Sequence, residues 1–180
     1  AAERMHRMVL DVLDVSRSEG ELPLQRSLVD VHELLLLAEA QFATRAQLSD
    51  VTLHIADGAP LIAPLDRELL QRVLDNLIDN AIKYGHRRID VSAGRLDDDT
   101  GGSIEIVVAD DGEGIPLEDR RRIFVMGQRL AMHAARETAS SRGLGLCFCA
   151  MAVAAHGGTI VVDDNIPSGS RFVLRLPIVG

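Results

Sequence analysis

The segment Leu74-Asp75-Asn76-Leu77-Ile78-Asp79-Asn80-Ala81-Ile82-Lys83-Tyr84 is the strongest constraint on what this chain can become. Leu70, Val73, Leu74, Leu77, Ile78 and Ala81 recur at helical spacing, so they define an apolar face that has to be buried. With Asp66 as N-cap, the spacing predicts a helix from about 66 to 84. Asn76 and Asn80 lie four apart and share a different face of it. Asparagine is a poor helix former, so two of them one turn apart ask for a reason beyond the helix itself. A pair of solvent-facing asparagines is the competing explanation, and position alone does not separate the two. Lys83 at the helix end is favourable with the helix dipole on its own account.

The rest of the chain supplies a setting. At 180 residues and 47% apolar composition, one sizeable core and one main domain are expected. No apolar run is long enough to cross a bilayer and no signal-peptide layout is visible, so the segment is expected to be soluble. A net charge of −8 argues against a nucleic-acid surface. Of the 19 lysines and arginines only Lys83 is a lysine. An arginine-biased genome accounts for the ratio, though not for the place of the one lysine. Cys147 and Cys149, two apart on an expected helix, point to different sides and cannot bridge each other. Buried free thiols are the simpler reading than a metal site.

Residues 1 to about 18 carry Met5, Met8, Val9, Val12, Leu13 and Val15 at helical spacing, with Gly20 and Pro23 as stop signals. A short strand is expected over 24–29, then a helix capped by Asp30 and running to about Leu48, with Glu33 at the capping-box position. Strands follow at Val51–Ile55 and Leu61–Ala63, and after the 66–84 helix at Arg88–Ala93 and Ser103–Ala109. A short helix is expected at Leu117–Arg122, then an irregular stretch, 125–142. A helix over Gly143–His156 and strands at Thr159–Asp163 and Ser170–Leu176 close the chain. Helices and mostly antiparallel strands without βαβ alternation predict an α/β (α+β) two-layer sandwich, with the helices on one face of a mixed, mostly antiparallel sheet.

Two further motifs stand at element boundaries. Asp110-Asp111-Gly112-Glu113-Gly114-Ile115-Pro116 follows an apolar strand, and its glycines permit a tight backbone and the close approach of a flat group. An ordinary Asp-Gly turn would look much the same. Gly143-Leu144-Gly145-Leu146 opens a helix, whose free N–H groups and partial positive charge suit an anion. No Gly-Lys-Ser/Thr follows, so this is not a P-loop.

In this order and placement, the three motifs resemble the N, G1 and G2 boxes of the ATP-binding catalytic domain of sensor histidine kinases, a branch of the gyrase, heat-shock-chaperone and mismatch-repair ATPase superfamily. The resemblance implies a Bergerat-type ATP-binding fold over 21–180, with a lid at about 125–142. It implies that residues 1–20 are the end of the dimerisation-domain helix. ATP and Mg²⁺ become the expected ligands. Asn76 and Asn80 would offer neutral carbonyl oxygens to Mg²⁺. Lys83 would balance phosphate charge as a catalytic residue beside them, and Tyr84 would line the nucleoside. Asp110 would accept the exocyclic amine of adenine, which guanine lacks at that position, with Gly112 and Gly114 giving close approach. Gln128, Arg129 and Arg142 would be phosphate partners from the lid, and Gly143, Leu144, Gly145 and Leu146 would cradle the phosphates. Asp111 is left unassigned.

In the gyrase-like branches the position of Asn76 holds a glutamate that activates water. Asparagine accepts no proton at neutral pH, which favours phosphoryl transfer to a protein over hydrolysis. The expected activity is that of a protein-histidine kinase passing the γ-phosphate to a histidine outside this segment. None of the histidines at 6, 32, 54, 86, 133 and 156 sits in a His-Glu/Asp-x-x-Thr/Asn-like setting. The partners implied are the phosphoacceptor-histidine domain of the parent kinase and a downstream response regulator, with a dimer in the full-length protein. Neither nucleic acid nor direct membrane contact is expected, and the place is the cytoplasm, with a membrane anchor in the parent left open. Two positions depart from the family pattern: Ser141, where a glycine is common, and Gly127, in place of the second of two phenylalanines after Phe124. They support the rival reading of a degenerate, non-catalytic adaptor module. A third reading, an anti-sigma-factor-type serine/threonine kinase on the same fold, lacks a leading helix like residues 1–20.

Overall fold

The computed structural model describes residues 22–97, 102–125 and 145–178. β1 (Ser27–Asp30) leads into α1 (Val31–Leu48), followed by β2 (Thr52–Ile55) and β3 (Ile62–Leu65). Then come α2 (Arg67–Tyr84), β4 (Arg88–Leu96) and β5 (Ser103–Asp110), a 3₁₀ turn at Arg122–Phe124, α3 (Gly145–Ala155), β6 (Thr159–Asp164) and β7 (Ser170–Pro177). Five strands form one sheet in the order β2-β4-β5-β7-β6, and β1 pairs with β3 in a separate two-stranded sheet. Among the described residues β2 and β4 run parallel and the other pairings are antiparallel.

Side-chain alternation explains the layering. Ile104, Ile106 and Val108 of β5 and Phe172, Leu174 and Leu176 of β7 face the helices and join one core with Leu34, Leu35 and Ala38 of α1 and Leu70, Leu74, Leu77 and Ile78 of α2. The opposite sheet face carries Glu105, Arg171 and Arg175, linked by ion pairs around a small Val107, Ala109 and Val173 patch. The two-layer arrangement inferred from the sequence is therefore present. Among the described residues no helix is long and apolar enough to cross a membrane.

Both predicted caps close their helices. Asp30 accepts the backbone N–H of His32 at 3.0 Å, and Asp66 accepts that of Leu69 at 3.0 Å. Asp30 also accepts the N–H of Leu61 at 3.0 Å, so one carboxylate starts α1 and pins the approach to β3.

The helix expected at Leu117–Arg122 does not form. Residues 117–121 are turns, and only a 3₁₀ turn at Arg122–Phe124 follows. The segment is too short to offset the cost of helix nucleation without a tertiary partner along its length. Arg120 instead bonds the Ile115 carbonyl at 3.0 Å and pairs with Asp164. Smaller shifts affect β1, which begins at Ser27 rather than Leu24, and β3, which runs to Leu65.

Candidate functional site

The site is built around α2, and its start is fixed from two directions. The Asp66 carboxylate also receives the backbone N–H of Gln25 at 2.7 Å. The Asp66 N–H itself is donated to Nε2 of the buried His156 at 3.0 Å. Nε2 is thus an acceptor, so the proton lies on Nδ1, which donates to the Ala152 carbonyl at 2.7 Å. From the sequence His156 is the end of the helix expected over Gly143–His156, with no contact partner indicated. It ties the end of α3 to the start of α2.

Farther along α2, the Asn76 amide donates Nδ2–H to the Arg72 carbonyl at 3.0 Å. That bond turns Oδ1 outward. Gly145, the first residue of α3, sits against it: a Cβ there would lie 2.8 Å from Oδ1. The Arg72 guanidinium lies over the Phe148 ring, 4.1 Å from its centroid, and holds the two helices at this approach. The asparagine motif and the second glycine motif, about 70 positions apart in sequence, therefore meet in space. An outward carbonyl oxygen on Asn76, with Asn80 half-buried one turn along the same face, is the donor chemistry a hard cation accepts. Leu146 packs against the core beside them.

The other end of α2 meets the first glycine motif. Gly112 lies so close to the Tyr84 carbonyl that any side chain would collide with it. Asp110, at the end of β5, is buried. Its Oδ1 accepts the N–H groups of Gly112 at 2.9 Å and Ser170 at 3.3 Å. Both donors engage the same oxygen, which leaves Oδ2 able to accept another. Burial pushes the Asp110 carboxyl above the usual carboxylate range; the two N–H groups pull the other way, and the charge of Asp111 adds to the rise. Gly114 adopts φ +78°, the left-handed region that favours glycine. Gly169, at φ +115°, packs on the Asp110 carbonyl, which also accepts Nδ2–H of Asn165 at 2.9 Å.

Asp111, left unassigned from the sequence, has a structural task. Its Oδ1 accepts the N–H groups of His86, Arg87 and Arg88 at 2.9, 2.9 and 3.0 Å, fixing the turn from α2 into β4. Partial burial opposes ionisation of this carboxyl, but the three N–H groups outweigh it and hold the group below its ordinary range. An acid placed directly after a strand end, facing a Gly-His-Arg turn, is a weak signal for such an anchor.

Lys83 forms an ion pair with Asp79, Nζ to Oδ2 at 2.9 Å, and Tyr84 is half-buried at the helix end. Phe124 packs edge-on against Phe172, with ring centroids 6.4 Å apart. Cys147 and Cys149 are buried thiols not joined in a disulfide, and the Cys149 thiol donates to the Val73 carbonyl at 3.8 Å. Gln128, Arg129, Arg142, Gly143 and Leu144 lie outside the described residues, as do residues 1–20 and all of the 125–142 stretch except Val125.

The chain is 34% identical over 178 residues to the adaptive-response sensory kinase SasA of Gloeothece citriformis, a match covering 97% of this chain and 44% of that protein. It is 33% identical over 183 residues to the alginate biosynthesis sensor protein KinB of Pseudomonas aeruginosa, covering 98% of this chain and 29% of that one. The chain thus spans less than half the length of these curated relatives. Among solved structures, full-length ShkA in complex with AMPPNP superposes with a TM-score of 0.83 at 26% identity, over 99% of this chain and 37% of that one. The mycobacterial sensor histidine kinase MprB superposes with a TM-score of 0.70 at 28% identity, over 85% of this chain and 97% of that one. Residues 65–180 match the family described as histidine kinase-, DNA gyrase B- and HSP90-like ATPase. This stretch starts just before α2 and takes in every described contact among the three motifs, so the chain belongs to that ATPase family, as a homologue of the catalytic domains of sensor histidine kinases.

Proposed function

We propose that this domain binds Mg-ATP between α2, the Asp110–Gly114 turn and the start of α3, and passes the γ-phosphate to a histidine outside residues 1–180. The observation that carries the reading is Oδ2 of the buried Asp110, which takes no backbone donor among the described residues. With Oδ1 occupied by Gly112 and Ser170, Oδ2 is left for the exocyclic amine of adenine. A carbonyl, as in guanine, would be repelled there.

The second half of α2 carries several tasks. Tyr84, beside Gly112, lines the nucleoside. Asn76 and Asn80 hold the divalent cation through amide oxygens, and Lys83 faces the phosphates. The Gly143–Leu146 motif gives its N–H groups to phosphate oxygens. Magnesium, when bound, neutralises phosphate charge and aligns the chain for attack. Because asparagine rather than a carboxylate stands at position 76, water is not activated there, and the phosphoryl group is kept for a protein acceptor. In the transfer the bond from the γ-phosphorus to the bridging oxygen breaks, a bond to an imidazole nitrogen forms, and ADP leaves. The protein contributes positioning and charge.

The acceptor histidine belongs to the dimerisation domain of the parent kinase, of which residues 1–20 are the last part, and a response regulator is the downstream partner. Gln128, Arg129 and Arg142, in the 125–142 lid, complete the phosphate contacts in this reading. Calorimetric titration with a non-hydrolysable ATP analogue, with and without Mg²⁺, tests it on wild type and Asp110→Asn. Micromolar, Mg-sensitive binding that the variant loses supports the site. Absence of binding under all these conditions would bring the adaptor reading forward.

A further inference from the structure

The polar contacts between α1 and α2 share one spacing. Glu33 pairs with Arg67 at 3.3 Å, Gln41 with Asp75 at 3.1 Å, and Arg45 with Asp79, and each pair is separated by 34 positions. A constant difference in residue number means the two helices run parallel and in register; antiparallel helices would keep a constant sum. In the Gln41 rung Asp75 takes two neutral amides, Gln41 and Gln71, whereas in the last rung both donors are cations. Oδ1 of Asp79 takes Nη1 of Arg45, while Oδ2 takes Nζ of Lys83 at 2.9 Å. Lys83 lies on the face of α2 that carries Asn76 and Asn80, seven and three positions beyond them.

Within this triad one carboxylate stands between two cations. Its net charge is positive because Arg45 is there. Without Arg45, the charges of Asp79 and Lys83 would cancel each other. Resting on the nucleotide-site reading above, the geometry points to Arg45 as a positioning residue. It occupies one oxygen of Asp79, so that Lys83 is held in place by the other while the triad keeps a net positive charge for the phosphate chain. Arg45 reaches the site from α1, outside all three motifs.

The test separates the charge-dependent part of the ligand from the rest. Adenosine and Mg-AMPPNP are titrated at low salt into wild type, Arg45→Gln, Arg45→Lys, and the double variant Arg45→Gln/Asp79→Asn. Arg45→Gln should bind AMPPNP roughly three- to fivefold more weakly, the range of a partly exposed charge interaction, with adenosine affinity unchanged. The difference should shrink as salt rises. Arg45→Lys keeps the charge and should retain wild-type affinity, and the double variant should recover most of the loss. An equal loss for both ligands would mean that Arg45 only supports the fold, and an unaffected AMPPNP affinity in Arg45→Gln would overturn the proposal alone. Wild type binding neither ligand would overturn the nucleotide-site reading and this proposal with it.

Discussion

Gly145 of α3 lies against Asn76 of α2 so closely that a Cβ would fall 2.8 Å from the amide oxygen Oδ1. The atom in the way is the end of a side chain, not backbone, so the fold can yield there at little cost. The position of Oδ1 cannot be kept. Gly145→Ala should therefore leave stability within about 1 kcal/mol of wild type. Mg-dependent nucleotide affinity should fall roughly tenfold, the factor that about 1.4 kcal/mol of lost cation coordination corresponds to. Thermal denaturation and titration on the same sample check both halves. Unchanged affinity would show that Asn76 Oδ1 takes no part in binding.

The buried Asp110 gives a pH signature. As its carboxyl is raised above the ordinary 3.8 by burial, the folded state binds its proton more tightly than the unfolded chain does. This group's contribution to stability is therefore greatest in acid and declines as pH rises from 3.8 through the raised value. Ligand binding runs the other way, because only the ionised group accepts the adenine amine with full strength. Adenine-nucleotide affinity should weaken on acidification already above pH 3.8. Asp110→Asn should bind about 10- to 150-fold more weakly at neutral pH, the range for a charge-assisted hydrogen bond, and should lose this dependence. A parallel acid response in wild type and variant would place the titrating group elsewhere.

What the sequence disclosed was local. The caps at Asp30 and Asp66, the strands flanking Asp97-Asp98-Asp99-Thr100-Gly101-Gly102 and the buried face of α2 all depend on residues within a few positions of one another. Leu117–Arg122 failed because a segment this short holds a helix only with distant contacts along its length, which its own residues do not announce. The same reason hid the site's supports. Asp111 was legible as an acid after a strand, but its three N–H donors lie 23 to 25 positions earlier. Arg45 reads as one arginine among many, since nothing nearby in sequence announces Asp79. The motif residues themselves were recognisable because their residue types are unusual for their elements, asparagines inside a helix above all.

Asp111 offers a contrasting pH dependence. Its carboxylate is stabilised in the folded state, so its contribution is present above the ordinary 3.8 and is lost as pH falls through the depressed folded value. Asp111→Ala frees the N–H groups of His86, Arg87 and Arg88 to an exposed turn, where water replaces part of the loss. A destabilisation of about 1–2 kcal/mol at neutral pH is expected. The gap between wild type and variant should close in acid. A gap independent of pH would mean that the carboxylate charge is not what anchors the turn.

His156 is the last support whose removal has a defined consequence. Its ring bridges the Ala152 carbonyl and the Asp66 N–H inside the core, at 2.7 and 3.0 Å. His156→Ala leaves that N–H without its acceptor and opens a space between α3 and α2. The unpaired donor alone should cost about 1–3 kcal/mol, with the vacated volume adding to it. For a domain of this size each kcal/mol lowers Tm by roughly 2–4 °C, so a fall of several degrees is expected in thermal denaturation. His156→Asn shortens the reach but keeps an acceptor and a donor, and should recover part of the fall. If both variants melt with wild type, the bond between α3 and the start of α2 is not what holds the asparagine helix in place.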